Sequence, residues 1–138
     1  MASRHELLVD TSVAIAFVVE DHEAHDDVFQ VLDGYRLGLA GHAAFETYSV
    51  LTRLPAPARR SPAVVLEVLE SNFPATRHLT GTDASATLRS LPGLGIAGGS
   101  VYDALVAATA RSHGLSLATR DRRALDTYRA IGSELMVL

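Results

Sequence analysis

Short apolar bursts alternate with helix-patterned stretches along the whole chain, and this alternation restricts it to α/β folds in which helices cover a mainly parallel sheet. Leu7-Leu8-Val9 reads as a buried strand, followed by the capping cluster Asp10-Thr11-Ser12 and an apolar helix to about residue 19. Within that cluster Ser12 is the better-placed cap. A surface helix is expected over 22–32 with Gly34 as its stop, then a strand over 36–40 and a helix over 42–54 ended by Pro55. Ser61-Pro62 opens a further helix to about residue 72. A strand is expected over 75–79, a helix over 82–91 closed by Pro92, and a Gly-rich loop over 92–99. Helices over 101–113 and 121–130 and strands over 115–119 and 135–138 complete the pattern. No stretch resembles a linker, so residues 1–138 are expected to form a single domain.

Composition removes several chemistries. The chain has no Cys and no Lys; all 12 of its basic residues are Arg. Thiolate zinc sites, Cys nucleophiles, Schiff bases and P-loop phosphate binding are therefore excluded. A formal charge of −4 argues against coating nucleic acid by bulk attraction, while leaving room for a local basic surface. The apolar run at 13–19 is far shorter than the roughly 18 to 20 residues of a membrane-spanning helix. With no Cys and no apolar leader at the start, the expectation is a cytoplasmic protein with no membrane partner.

In a parallel sheet, ligands sit beyond the carboxyl ends of the strands. Asp10 and Asp121 fall just past two predicted strand ends, while Glu46 and Asp103 lie in helices among apolar neighbours. Each has an ordinary structural explanation except Glu46. Asp10 and Asp121 could cap helices, and Asp103 suits the first turn of its helix dipole. Glu46 is mid-helix with Val50 at i+4, so an ion pair along the helix is not available to it. Gathered at one sheet edge, the four oxygen donors would suit a hard divalent cation such as Mg²⁺, with Mn²⁺ as a substitute. His22 and His25 sit among acids and read as a solvated face, and the 92–99 loop lacks Gly-x-Gly-x-x-Gly. Phe17, Phe29, Phe45 and Tyr48 are expected in the core or at an interface.

At four stretches the sequence resembles the PIN-domain family, specifically the VapC-type ribonuclease toxins of type II toxin–antitoxin modules. They are 8–12 (Leu-Val-Asp-Thr-Ser), 43–55 around Glu46, 98–107 around Asp103, and 118–121 (Ala-Thr-Arg-Asp). The resemblance implies a PIN-like three-layer α/β/α sandwich with a mainly parallel central sheet. It implies a Mg²⁺-dependent endoribonuclease that cleaves RNA with metal-activated water and inhibits translation and growth. Its catalytic and metal residues would be Asp10, Glu46, Asp103 and Asp121, with Thr11, Ser12 and Thr119 as supporting hydroxyls and Asp126 as the local substitute for Asp121. A homodimer and a VapB-like antitoxin are implied as well, the antitoxin in a groove near the first helices that the 13–19 and 64–69 stretches could line. Arg53, Arg120, Arg122 and Arg123 are the candidate RNA contacts, with Arg59 and Arg60 nearby.

A phosphoacceptor receiver domain would want a Lys near the last strand, and a haloacid dehalogenase-type phosphatase would want Asp-x-Asp in place of Asp10-Thr11-Ser12. A non-catalytic PIN-like module that binds RNA or protein is the remaining alternative.

Overall fold

A computed structural model describes residues 5–138; residues 1–4, which the single-domain expectation included, lie outside the described residues. Four strands form one all-parallel sheet: β1 (Glu6–Val9), β2 (Arg36–Leu39), β3 (Leu117–Thr119) and β4 (Leu135–Val137), in the order β2-β1-β3-β4. Seven helices surround it: α1 (Thr11–Val18), α2 (His25–Val31), α3 (His42–Thr52), α4 (Pro62–Asn72), α5 (Gly81–Leu94), α6 (Ser100–Ser112) and α7 (Leu125–Ile131).

Period-2 alternation divides the sheet between two cores. Leu7 and Val9 face one, with Val13 and Ala16 of α1, Val28 of α2 and Val65 and Leu69 of α4; Leu8 and Leu117 face the other, with Ala104 and Ala107 of α6 and Tyr128 of α7. This is the expected three-layer sandwich. β1 is buried on both faces, which is why its core reads as an unbroken apolar run rather than an alternating one.

Three local expectations are corrected. Residues 75–79 do not form a strand: they make one bridge, Ala40 to Arg77. The Thr76 hydroxyl accepts the Leu39 amide at 2.9 Å, taking a place that a ladder would give to a backbone carbonyl. The close approach needs Gly38, where a Cβ would stand 2.2 Å from the Ala75 backbone. Pro92 does not close α5, which continues to Leu94. Its missing N–H frees only the carbonyl of the exposed Leu88, and the true stop is Gly95 in the left-handed region, whose amide reaches the Leu91 and Pro92 carbonyls. The cap of α1 is Asp10 rather than Ser12, because Asp10 lies in extended backbone and accepts the Val13 amide.

Of the two places expected for the aromatic residues, the core is ruled out for two of them. Phe45 is 68% exposed and Phe29 52%, so neither is a core residue, although Phe29 stacks on the half-buried Phe17 at 5.0 Å. His22 and His25 do not form a purely solvated face. His22 accepts the Ala24 amide at 3.0 Å, and the His25 ring nitrogen lies 2.9 Å from the Ala16 carbonyl oxygen. Within the expected groove stretches, Val13, Ala14, Val65 and Leu69 are core, leaving Val64 and Leu66 exposed.

Candidate active site

The parallel sheet carries β1 and β3 to the same edge, and there Asp10 and the residues after Thr119 meet. The Asp10 amide pairs with the Ala118 carbonyl at 3.1 Å. Asp10 is buried, 4% exposed, and four donors hold its carboxylate. Oδ1 accepts from Ser12 Oγ at 2.6 Å and from the Val13 amide at 3.2 Å. Oδ2 accepts from the hydroxyls of Thr119 and, at 2.9 Å, of Tyr128. Burial pushes the Asp10 carboxyl above the usual aspartate range, and these hydrogen bonds pull it back. The Tyr128 phenol is itself pushed far up, by burial first and then by the Asp10 charge, so it stays protonated and can only donate to the carboxylate.

The same hydroxyls tie down the following loop. Ser12 Oγ accepts the Arg120 amide at 2.9 Å, and Thr119 Oγ1 accepts the Asp121 amide at 3.0 Å. Asp121 caps the helical turn 122–124 by accepting the Arg123 amide at 3.0 Å, so its structural explanation is realised. Asp126, its local substitute, is exposed. The Thr11 hydroxyl hydrogen-bonds to none of the four acids among the described residues. Its hydroxyl donates to the Ala43 carbonyl at 3.4 Å and accepts from Thr47 at 3.3 Å, fastening α1 to α3.

Glu46 is exposed on α3, the helix set in place by the turn at Gly41. Gly41 has φ +52°, and a Cβ there would stand 2.5 Å from Thr109 Oγ1, so only glycine fits. Asp103 lies half-buried in the first turn of α6. Its carboxyl is pushed above the usual range by burial, then by repulsion from Asp121, Glu46 and Asp10, with Arg123 opposing. One side chain thus senses the other three acids. Among the described residues, no three acidic or His side chains are drawn tightly enough to enclose an ion as they are set. The donor chemistry nevertheless fits a hard cation: every donor is a carboxylate oxygen, and the excess negative charge meets one weak counter-charge, Arg123, whose Nε lies 3.7 Å from Asp121 on a side chain 95% exposed.

Arg53, Arg122 and Arg123 are exposed and Arg120 is half-buried; Arg120, Arg122 and Arg123 flank Asp121 in sequence. Sequence reasoning missed Tyr128. The available signal was a tyrosine on the apolar face of a predicted helix, since a buried phenol needs a partner.

A parallel α/β sandwich with carboxylates at the carboxyl edge of its sheet is an architecture in which a divalent cation and a ligand can be held beyond the strand ends. The family model described as PIN domain matches residues 7–130. Ribonuclease VapC27 of Mycobacterium tuberculosis is 46% identical over 131 residues, covering 95% of this chain and 96% of that protein. Ribonuclease VapC40 of the same species is 39% identical over 130 residues, covering 91% and 94%. The chain belongs to the PIN-domain family and, within it, to the VapC ribonucleases, the toxins of VapBC toxin–antitoxin modules. Two solved structures share the fold. VapBC2 from Rickettsia felis, bound to a DNA fragment from its promoter, superposes with a TM-score of 0.67 at 12% identity, covering 96% of this chain and 98% of that one. FitAcB from Neisseria gonorrhoeae gives 0.64 at 17% identity, with 94% and 96% covered. Among the described residues no helix is long and apolar enough to cross a membrane.

Proposed function

We propose that this chain hydrolyses RNA phosphodiester bonds at the edge formed by Asp10, Glu46, Asp103 and Asp121, with Mg²⁺, or Mn²⁺ in its place, held by these carboxylates. The observation that carries the reading is the half-buried Asp103 carboxyl in the first turn of α6, pushed up by burial and then by the charges of Asp121, Glu46 and Asp10, a repulsion that a divalent cation would relieve. Acids alone would repel a phosphodiester; the bound cation supplies the positive charge that the phosphate requires and the acidity that makes water a nucleophile.

The protein's own groups divide the remaining work. Asp10 is the rigid member, held by Ser12, Val13, Thr119 and Tyr128. Glu46, exposed on α3, is the adjustable one. Asp103 carries a proton more readily than an ordinary aspartate when no cation neutralises its neighbours. Asp121 is oriented by its bond to the Arg123 amide, and Arg53, Arg120, Arg122 and Arg123 hold RNA phosphates on either side of the acids. The partners are a VapB-like antitoxin and a second copy of the chain. Exposed Phe29 and Val31 on α2 and Val64 and Leu66 on α4 supply apolar surface for such contacts.

The test is RNA cleavage in Mg²⁺ with the products' ends mapped. Wild type leaves 5′-phosphate ends. Asp103→Asn loses about three orders of magnitude in rate, equivalent to the several kcal/mol a metal centre contributes, while its thermal midpoint in EDTA does not fall. Full Mg²⁺-dependent cleavage by both Asp10→Asn and Asp103→Asn would overturn the assignment.

A further inference from the structure

Four protein groups donate to the Asp10 carboxylate. Three of the donors have other duties. The Val13 amide belongs to the first turn of α1, Ser12 Oγ also accepts the Arg120 amide, and Thr119 Oγ1 also accepts the Asp121 amide. The Tyr128 hydroxyl bonds to Asp10 alone among the described residues. Tyr128 is 2% exposed and belongs to the core cluster of Leu8, Ala104, Leu117 and Ile131, so α7 brings the hydroxyl to Asp10 from the interior. Packing alone does not call for the hydroxyl: phenylalanine has the same shape, and a buried hydroxyl is unfavourable without a partner.

Resting on the reading of Asp10 as a metal-site carboxylate, we propose that Tyr128 is a positioning residue for the metal centre, whose hydroxyl holds Asp10 Oδ2 from behind and fixes the orientation in which the carboxylate meets the cation. Partners that orient a ligating carboxylate typically contribute tenfold or more to metal affinity. α7 therefore acts on the site across 118 residues of sequence.

The experiment measures Mn²⁺ binding by calorimetry, and RNA cleavage against Mg²⁺ concentration, for wild type, Tyr128→Phe, Ile131→Val and Asp10→Asn. Tyr128→Phe is expected to weaken Mn²⁺ binding about tenfold and to lose cleavage at low Mg²⁺, recovering to within about twofold of the wild-type rate at saturating Mg²⁺. Ile131→Val removes packing from the same helix and keeps the hydroxyl, so its Mn²⁺ affinity should match wild type. An unchanged or tighter constant in Tyr128→Phe overturns the proposal, as does an equal loss in Ile131→Val, which would make the effect one of packing. In those cases, loss of binding in Asp10→Asn leaves the metal-site reading standing. Unchanged binding in Asp10→Asn overturns both.

Discussion

β1 begins in one carboxylate and is followed directly by another, and the protein treats the two in opposite ways. Glu6 opens the strand and meets Arg77, whose Nη2 donates to both its oxygens at 2.9 Å. Asp10 follows the strand's last residue and meets four neutral donors, and its charge is one of three felt by Asp103. A guanidinium cancels charge; hydroxyls and amides stabilise an anion while leaving its field intact. The first arrangement joins β1 to the segment after α4. The second leaves net negative charge at the edge where parallel sheets bind ligands, which is the condition for holding a cation.

Exchanging charge for neutrality at each end should separate the two roles. After Asp103→Asn, the largest effect is expected from Glu46→Gln at the acidic edge, which removes one acid without disturbing a hydrogen bond. Mg²⁺-dependent RNA cleavage should fall by about a hundredfold, or 2.7 kcal/mol, with the urea midpoint unchanged. Glu6→Gln should leave cleavage within about twofold; a comparable loss there would end the contrast.

Next in size is Arg77→Ala. It removes a bidentate pair whose side chains are 32% exposed, and the Nη1 bond to the Ala75 carbonyl at 2.8 Å. Stability should drop by about 1 kcal/mol, discounted for that exposure, as read by urea unfolding with m unchanged. Cleavage at saturating Mg²⁺ should persist.

The smallest effect is a pH dependence of the metal-free protein. Asp10 and Asp103 bind protons more tightly folded than at their ordinary 3.8. Between that value and their raised values the folded state therefore holds more protons, and its stability falls as pH rises. This is the reverse of a salt-bridged carboxylate. In EDTA, the contribution of these groups to the thermal midpoint should decline from about pH 4 towards neutrality. Asp103→Asn and added Mg²⁺ should each flatten the slope. An equally steep slope in Asp103→Asn would remove Asp103 from the acidic end of the comparison.

Much of this was legible in the chain. The apolar run at Leu7-Leu8-Val9, the Ser61-Pro62 start and the Gly34 and Gly114 stops are short-range signals, and they marked elements that the structure contains. Some failures occurred where a distant partner decided the outcome. Thr76 takes the Leu39 amide, so residues 75–79 form a bridge rather than a strand. The Pro92 failure was local: the open carbonyl at Leu88 and the cap at Gly95 let α5 run through it. Thr11 turned towards α3, because its hydroxyl found the Ala43 carbonyl instead of a carboxylate.

By itself, the sequence determined the α/β alternation, the absence of Cys and Lys chemistry, and four acids placed by strand ends and helix turns. These depend on residue type and spacing along the chain. Only the tertiary structure decided that Asp103 senses the other three acids and that Tyr128, 118 residues from Asp10, completes its ring of donors. Both depend on burial and on through-space contact, which strand crossover and helix docking create and local propensity does not encode.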